Sequence, residues 1–258
     1  MAAAAILLLT FGPPVATYAL IQGAAVLVGD ELFRMVLGPD RTRERWFATG
    51  LLSAAVALAW WAPLAVLPLM VVAAPILLSV ALFGSDEVNV LAPRAAYLTM
   101  GFYYLAIPLV ALALIAALPS GTLIMLALFG SVFAGDSGAF FAGKFLGKRK
   151  LYEKISPKKT WEGSFGGAAA SVLGFALIVW LGKLPFTPVE TVLLGFACGV
   201  VEQVGDLVES MFKRAAGVKD SGSLLPGHGG LLDRVDGLLF AAPTLLAWLM
   251  LRNSGLAG

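Results

Sequence analysis

EQVGDLVESMFKRAAGVKDSGSLLPGHGGLLDRVDG, residues 202–237, decides how this chain is read. Apolar stretches flank it, at about 188–205 and 235–251, and between them stand Glu202, Asp206, Glu209, Asp220, Asp233 and Asp236 with Lys213, Arg214, Lys219, Arg234 and the chain's one histidine, His228. The 258 residues are 59% hydrophobic and 13% charged, with a mean hydropathy of +0.89. A chain this apolar that gathers ionisable groups between two hydrophobic segments places its chemistry where a bilayer meets water.

Working outward, hydrophobic segments recur at about 2–28, 46–62, 63–83, 95–118, 121–142, 164–182, 188–205 and 235–251. Their lengths are near the roughly 20 residues that cross a bilayer as a helix. The expected fold is therefore all-α, a polytopic integral membrane helical bundle of about eight transmembrane segments, within a range of seven to nine. The opening run AAAAILLLT has no basic region before it and continues past Pro13 and Pro14, which reads as a retained span and not a cleaved signal. Segments two and three meet at the WWAP sequence, Trp60 to Pro63, either as two spans joined by a tight turn or as one broken re-entrant pair. A single cysteine, Cys198, excludes a disulfide within the chain, and a single histidine excludes a histidine-based zinc centre within one subunit.

With eight spans, the loops 28–45, 84–94, 143–163 and 206–234 share one face. They carry Arg34, Arg41, Arg43, Arg45, Arg94, Lys144, Lys148, Arg149, Lys150, Lys154, Lys158, Lys159, Lys213, Arg214, Lys219 and Arg234, which leaves only Lys183 and Arg252 of the 18 basic residues elsewhere. Such asymmetry predicts that these loops, with any catalytic groups on them, face the cytoplasm from a cell inner membrane, and that both chain ends lie outside. The RTRERW run, Arg41 to Trp46, reads as an interfacial anchor. The first four segments are nearly free of polar side chains, so residues 1–120 are expected to form a transmembrane scaffold. Residues 121–258 are expected to form the catalytic region, with cytoplasmic loops 143–163 and 206–234.

Three constellations carry the chemistry. Asp136 lies inside an apolar helix beside Gly135 and Gly138, either locking helices together or facing a wet cavity. In the basic stretch 143–167, Pro157 stiffens a turn bearing Lys158 and Lys159, and Thr160 is placed to cap the helix that follows; two lysines on a stiff turn at the membrane surface suit the phosphates of a nucleotide. Glu202, Asp206 and Glu209 are spaced i, i+4, i+7, so they share one helix face, which Lys213 continues. Asp233 and Asp236 open the next helix with Arg234 between them, and either cap it or join the first set in an oxygen-rich site of the kind Mg²⁺ prefers. Two Mg²⁺ ions there would neutralise a leaving pyrophosphate. Neither a Walker A sequence nor GxGxxG is present.

The run at 210–237, with GDLVES at 205–210, SPKKTWEG at 156–163 and GDSGAFFAGKFLGK at 135–148, resembles the CDP-diacylglycerol synthases, or phosphatidate cytidylyltransferases. The resemblance is dense from about Phe129 to Asp236 and is only a shared hydrophobic character before that. It implies a membrane enzyme that joins CTP and phosphatidate into CDP-diacylglycerol and pyrophosphate, with Mg²⁺, K⁺, and assembly as a homodimer. Carried onto this sequence, it assigns metal binding to Asp206 and Asp233; Glu202, Glu209 and Asp236, each within one or two helical turns of these, are candidate auxiliary carboxylates, as is Asp136. Lys144 and Lys219 join Asp206 and Asp233 as catalytic groups, and Ser156, Lys158, Lys159, Lys213, Arg214, His228 and Arg234 hold the substrates. The expected partners are CTP, phosphatidate and the lipid bilayer, with no nucleic acid.

Two other functions fit parts of the pattern. A CTP-dependent isoprenoid-alcohol or other lipid kinase would also use metal, nucleotide and lipid, but the intact KDSG to DRVD block stands against it. An ion or solute transporter would place Asp136, Glu202 and Asp206 in its helices as coupling groups, yet it has no evident need of SPKK at one cytoplasmic edge and KDSGSLLPGHGG at another.

Overall fold

A computed structural model describes residues 14–84, 87–222, 224 and 229–253. Eight helices among the described residues fall on the eight expected segments: α1 (Pro14–Leu37), α2 (Thr42–Trp61), α3 (Val66–Leu82), α4 (Val88–Ala116), α5 (Gly121–Leu146), α6 (Trp161–Leu181), α7 (Pro188–Ala215) and α8 (Leu232–Asn253). The stretch 2–13 of the first expected segment lies outside the described residues. A short 3-10 turn, Pro63–Ala65, separates α2 from α3, so the WWAP junction joins two distinct helices. The six spans Pro63–Leu82, Val88–Ala116, Gly121–Leu146, Trp161–Leu181, Pro188–Ala215 and Leu232–Asn253 are long and apolar enough to cross a membrane. The protein is an all-α polytopic membrane bundle.

The other two helices carry charges, and those charges pair inside the bundle. Asp30 of α1 accepts from Arg34 at 2.7 Å and forms an ion pair with Arg45 of α2 at 2.8 Å, and Glu44 of α2 meets Arg94 of α4 at 3.1 Å. Arg45 and Arg94 are buried. The RTRERW run is thus only partly the interfacial anchor expected of it, because Asp30 turns Arg45 inward, where two carboxylates and several arginines compensate one another at the helix ends.

Helix boundaries follow from local chemistry. Thr187 and Glu190 form a reciprocal capping box at the start of α7, with Pro188 in the first turn, and Lys213 and Arg214 favour its C-terminal end before Gly217, which adopts φ +70°. α7 runs ten residues beyond the expected end of its span at 205, so Asp206 and Glu209 stay on regular helix. Thr160 caps α6 by accepting from the Gly163 N–H at 3.2 Å. Glu162 turns instead to the Lys148 and Arg149 N–H groups, at 3.0 and 3.2 Å.

Between α5 and α6 the basic stretch forms an antiparallel hairpin, β1 (Lys150–Tyr152) with β2 (Ser156–Thr160), pairing Lys150 with Thr160 and Tyr152 with Ser156. Lys150 donates from Nζ to the Pro157 carbonyl at 2.6 Å, so it ties β1 to β2 as well as adding charge. Pro157, Lys158 and Lys159 thus lie on a strand and not on the expected turn, which falls at 153–155. One continuous apolar core runs from Ile21 to Leu249. Leu173 and Trp180, at 71% and 74% exposed, point outward as lipid-facing residues do.

Helices α5 and α6 pack backbone to backbone. A Cβ on Gly138 would lie 2.8 Å from the Gly166 carbonyl oxygen, and one on Gly174 would overlap the Gly130 carbonyl. Gly174→Val is therefore expected to cost about 3 kcal/mol by overpacking, read as a fall in melting temperature of the detergent-solubilised protein. Gly23→Ala, which meets no atom within 4 Å, is expected to leave that temperature unchanged.

Candidate active site

The close α5–α6 seam and the extension of α7 open a cavity of about 330 Å³ at the hairpin end of the bundle. Its basic wall comes from the hairpin and the end of α5, with Lys144, Lys158 and Lys159; its acidic wall is Asp136, Glu202 and Asp206. Asp136 is exposed along this wall, within electrostatic reach of Asp206, Lys159 and Arg234. Of the two sequence readings of Asp136, the structure has the one in which it faces a cavity. Lys144 lies over the rings of Phe140 and Phe145, 5.9 and 5.6 Å from their centroids, an aromatic setting suited to a cation at a membrane interface.

The face of α7 carries the site's geometry. Lys159 crosses to Asp206 at 2.5 Å and reaches the Gln203 carbonyl at 3.4 Å. Gln203 is held in turn by the Ser164 and Gly199 carbonyls, and the Ser164 hydroxyl donates to its side-chain oxygen. Gly205 lets α8 approach: a Cβ there would lie 2.7 Å from the Asp236 carbonyl oxygen and 3.0 Å from the Phe240 ring. That proximity brings carboxylate oxygens of Asp206, Glu209 and Asp236 within 4.8 Å of one another. Glu202 and Glu209 are buried, and Glu202 Oε2 and Glu209 Oε1 have no hydrogen-bond partner among the described residues.

Three carboxylates so close, with orphaned buried oxygens beside them, are chemically suited to a hard divalent cation with oxygen ligands. Asp233 stands apart from this trio. Its Oδ1 accepts from Lys213 Nζ at 2.7 Å, while its Oδ2 takes the Ser221 N–H at 2.9 Å, the Ser221 hydroxyl at 2.9 Å and the Gly230 N–H at 2.8 Å. Lys213 also pairs with Glu209, so one ammonium sits between the carboxylates of α7 and α8. Of the expected pair, Asp206 belongs to the trio and Asp233 is joined to it through Lys213 and Glu209.

The remaining predicted residues take varied places. Ser156 lies on β2, and Arg214 donates from Nη1 to the Val218 carbonyl at 3.5 Å. Lys219 and Arg234 are exposed at either end of the glycine-rich loop. His228 lies outside the described residues. Sequence reasoning missed Tyr104 of α4, whose hydroxyl is buried without a hydrogen-bond partner among the described residues, within electrostatic reach of Glu209, Asp236 and Asp206. Its ring packs on Phe212 and Phe240, with centroids 5.2 and 6.4 Å away. It missed Glu31 of α1 as well, and nothing in an apolar helix flags that either side chain meets residues more than a hundred positions later.

Residues 1–252 match the model of the cytidylyltransferase family. The chain belongs to that family. Within it, the chain is similar to proteins named phosphatidate cytidylyltransferase: 47% identical over 133 residues to one from Synechocystis sp., covering 52% of this chain and 45% of the relative. A Brucella suis relative is 49% identical over 130 residues, covering 49% of this chain and 47% of its own, and a Bacillus subtilis relative is 47% identical over 114 residues, covering 44% and 42%. Each alignment with these cytidylyltransferases spans a little under half of the relative's length.

The acidic trio makes a direct prediction about cation binding. Mn²⁺, followed by electron paramagnetic resonance on detergent-solubilised protein, is expected to bind the wild type, with affinity falling about tenfold or more in Asp236→Asn, since even outer-shell changes weaken metal sites by that order. Unchanged affinity would remove Asp236 from the group.

Proposed function

We propose that the protein is a phosphatidate cytidylyltransferase, transferring the cytidylyl group of CTP to phosphatidate to give CDP-diacylglycerol and pyrophosphate. The observation that carries this reading is the cavity at the hairpin end of the bundle, with Lys144, Lys158 and Lys159 on one wall and Asp136, Glu202 and Asp206 on the other. A basic wall receives phosphates and an acidic wall receives their counter-cations, which is the charge pattern needed to bring two polyanions together.

In the proposed reaction an oxygen of the phosphatidate phosphate forms a bond to the α-phosphorus of CTP. The bond from that phosphorus to the oxygen bridging the β-phosphate breaks, and its electron pair leaves with pyrophosphate. The attacking phosphate is already anionic near neutral pH, so no strong base is needed, and positioning and charge compensation dominate. Lys158 and Lys159, carried on strand β2 with Pro157 and followed directly by the Thr160 cap, orient phosphate oxygens. Lys144, beside Phe140 and Phe145, meets the lipid headgroup while the acyl chains stay in the bilayer. Lys213, Arg214, Lys219 and Arg234, with Ser156 and His228, complete the phosphate contacts.

Asp206, Glu209 and Asp236 would hold Mg²⁺, with Asp233 joining them through the position Lys213 now bridges. Bound there, the ion would supply positive charge to the phosphates and to the leaving pyrophosphate. A second Mg²⁺ and a K⁺, implied by the resemblance, belong to the same proposal, with Asp136 and Glu202 as the carboxylates left facing the cavity. We place the enzyme in the inner membrane with its charged loops in the cytoplasm, supported by the one-sided distribution of basic residues. We take residues 1–120 as scaffold, residues 121–258 as the catalytic region, and a homodimer as the working assembly.

Purified protein is expected to release pyrophosphate only when CTP and phosphatidate are both present, with CDP-diacylglycerol formed in equal amount. ADP formed from ATP and a lipid alcohol would establish the lipid-kinase reading instead.

A further inference from the structure

Glu31 lies near the end of α1, in the part of the chain read from sequence as scaffold, yet its carboxylate is built into the start of α8. Its Oε1 accepts from the Leu231 N–H at 2.9 Å, and its Oε2 accepts from the Leu232 N–H at 2.8 Å and the Ser221 hydroxyl at 3.3 Å. Leu232 is the first residue of α8, so these amides are among those a helix start leaves without intrahelical partners, where negative charge is also favoured by the helix dipole. Asp233 takes the neighbouring donors, the Ser221 and Gly230 N–H groups. The Ser221 hydroxyl has one proton and stands between the two carboxylates, closer to Asp233.

The fit around Glu31 is tight. Its residue is 8% exposed, and a Cβ on Gly222 would lie 2.9 Å from Oε1, while one on Gly230 would lie 2.5 Å from Oε2. A carboxylate of α1 and a carboxylate of α8 therefore clasp both ends of the glycine-rich loop. Helix caps ordinarily come from residues next to the helix in sequence; this one comes from a different helix 201 positions away from Leu232. The helix start it holds is the one that carries Asp233 and Asp236.

We propose that Glu31 is a positioning residue of the nucleotidyl-transfer site: it fixes the start of α8 and both ends of the glycine-rich loop, and so sets where Asp233 and Asp236 stand. The proposal rests on the function assigned above. Glu31 touches no reacting atom in this role. It acts through Leu231, Leu232 and Ser221.

Glu31→Gln keeps the size of the side chain but replaces one acceptor oxygen by an NH₂ group facing a backbone N–H. Its kcat is expected to fall about tenfold to a hundredfold, the range for losing hydrogen bonds to a charged group, with a higher Mg²⁺ concentration needed for half the maximal rate and KM for phosphatidate changed less than about twofold. A second readout needs no activity: tryptic cleavage after the exposed Lys219, in detergent without substrates, is expected to be several-fold faster than in the wild type because the loop opens more often. Gln22→Ala, which removes a link from α1 to the Ser53 carbonyl on α2, serves as the structural control and is expected to leave the Mg²⁺ requirement unchanged.

Unaltered cleavage and an unaltered Mg²⁺ requirement in Glu31→Gln would overturn the proposal. So would equal changes in Glu31→Gln and Gln22→Ala, since that pattern marks general destabilisation. A wild type that makes no CDP-diacylglycerol would contradict the assigned reaction, and the cleavage comparison would still decide whether Glu31 holds the loop.

Discussion

Asp206, Glu209 and Asp236 bring carboxylate oxygens within 4.8 Å of one another at the end of a membrane helix bundle. Each pair of ionised carboxylates at such a distance repels by about 3 kcal/mol at an effective dielectric near 20. That arrangement needs positive charge, and much of the surrounding structure supplies or positions it. Lys159 reaches Asp206 from the hairpin, and Lys213 stands between Glu209 and Asp233. The β1–β2 pairing, the Thr160 cap and the Gln203 carbonyl hold the first of these in place. Gly205 contributes in the opposite sense, since its missing side chain allows α8 close enough for Asp236 to enter the group at all.

The same constraint joins the two halves of the chain. The acidic trio is built on α7 and α8, but its setting includes Tyr104 of α4, and the start of α8 is capped by Glu31 of α1. A continuous apolar core links these helices, so the N-terminal helices do more than anchor the protein in lipid. Two of them, α1 and α4, pack against α8, the helix that carries Asp236.

Much of this was legible in the sequence because it depends on local periodicity. The eight hydrophobic segments, the shared face of Glu202, Asp206 and Glu209, and the cap at Thr160 all follow from spacing along one element. The hairpin was not legible: β1 and β2 are three and five residues long, rich in lysine, and defined by pairing with each other. Asp233 shows the same limit from the other side. Its position at the start of α8 is evident from the sequence, whereas its engagement with Lys213, Ser221 and Gly230 depends on how a loop folds back. Glu31 and Tyr104 sit in apolar helices where period and composition suggest only burial, and their partners are fixed by tertiary packing.

The central claim is that carboxylates from α7 and α8 act together as one cation-binding catalytic centre. The most direct test is initial rate against Mg²⁺ concentration for purified Asp206→Asn and Asp233→Asn, with folding checked by melting temperature. Asn preserves the size of each side chain and caps a helix nearly as well as Asp, so a purely structural aspartate would tolerate the change. The account predicts that both variants fold and both lose nearly all turnover across the Mg²⁺ range. Near-normal rates with an unchanged Mg²⁺ dependence in either variant would contradict it.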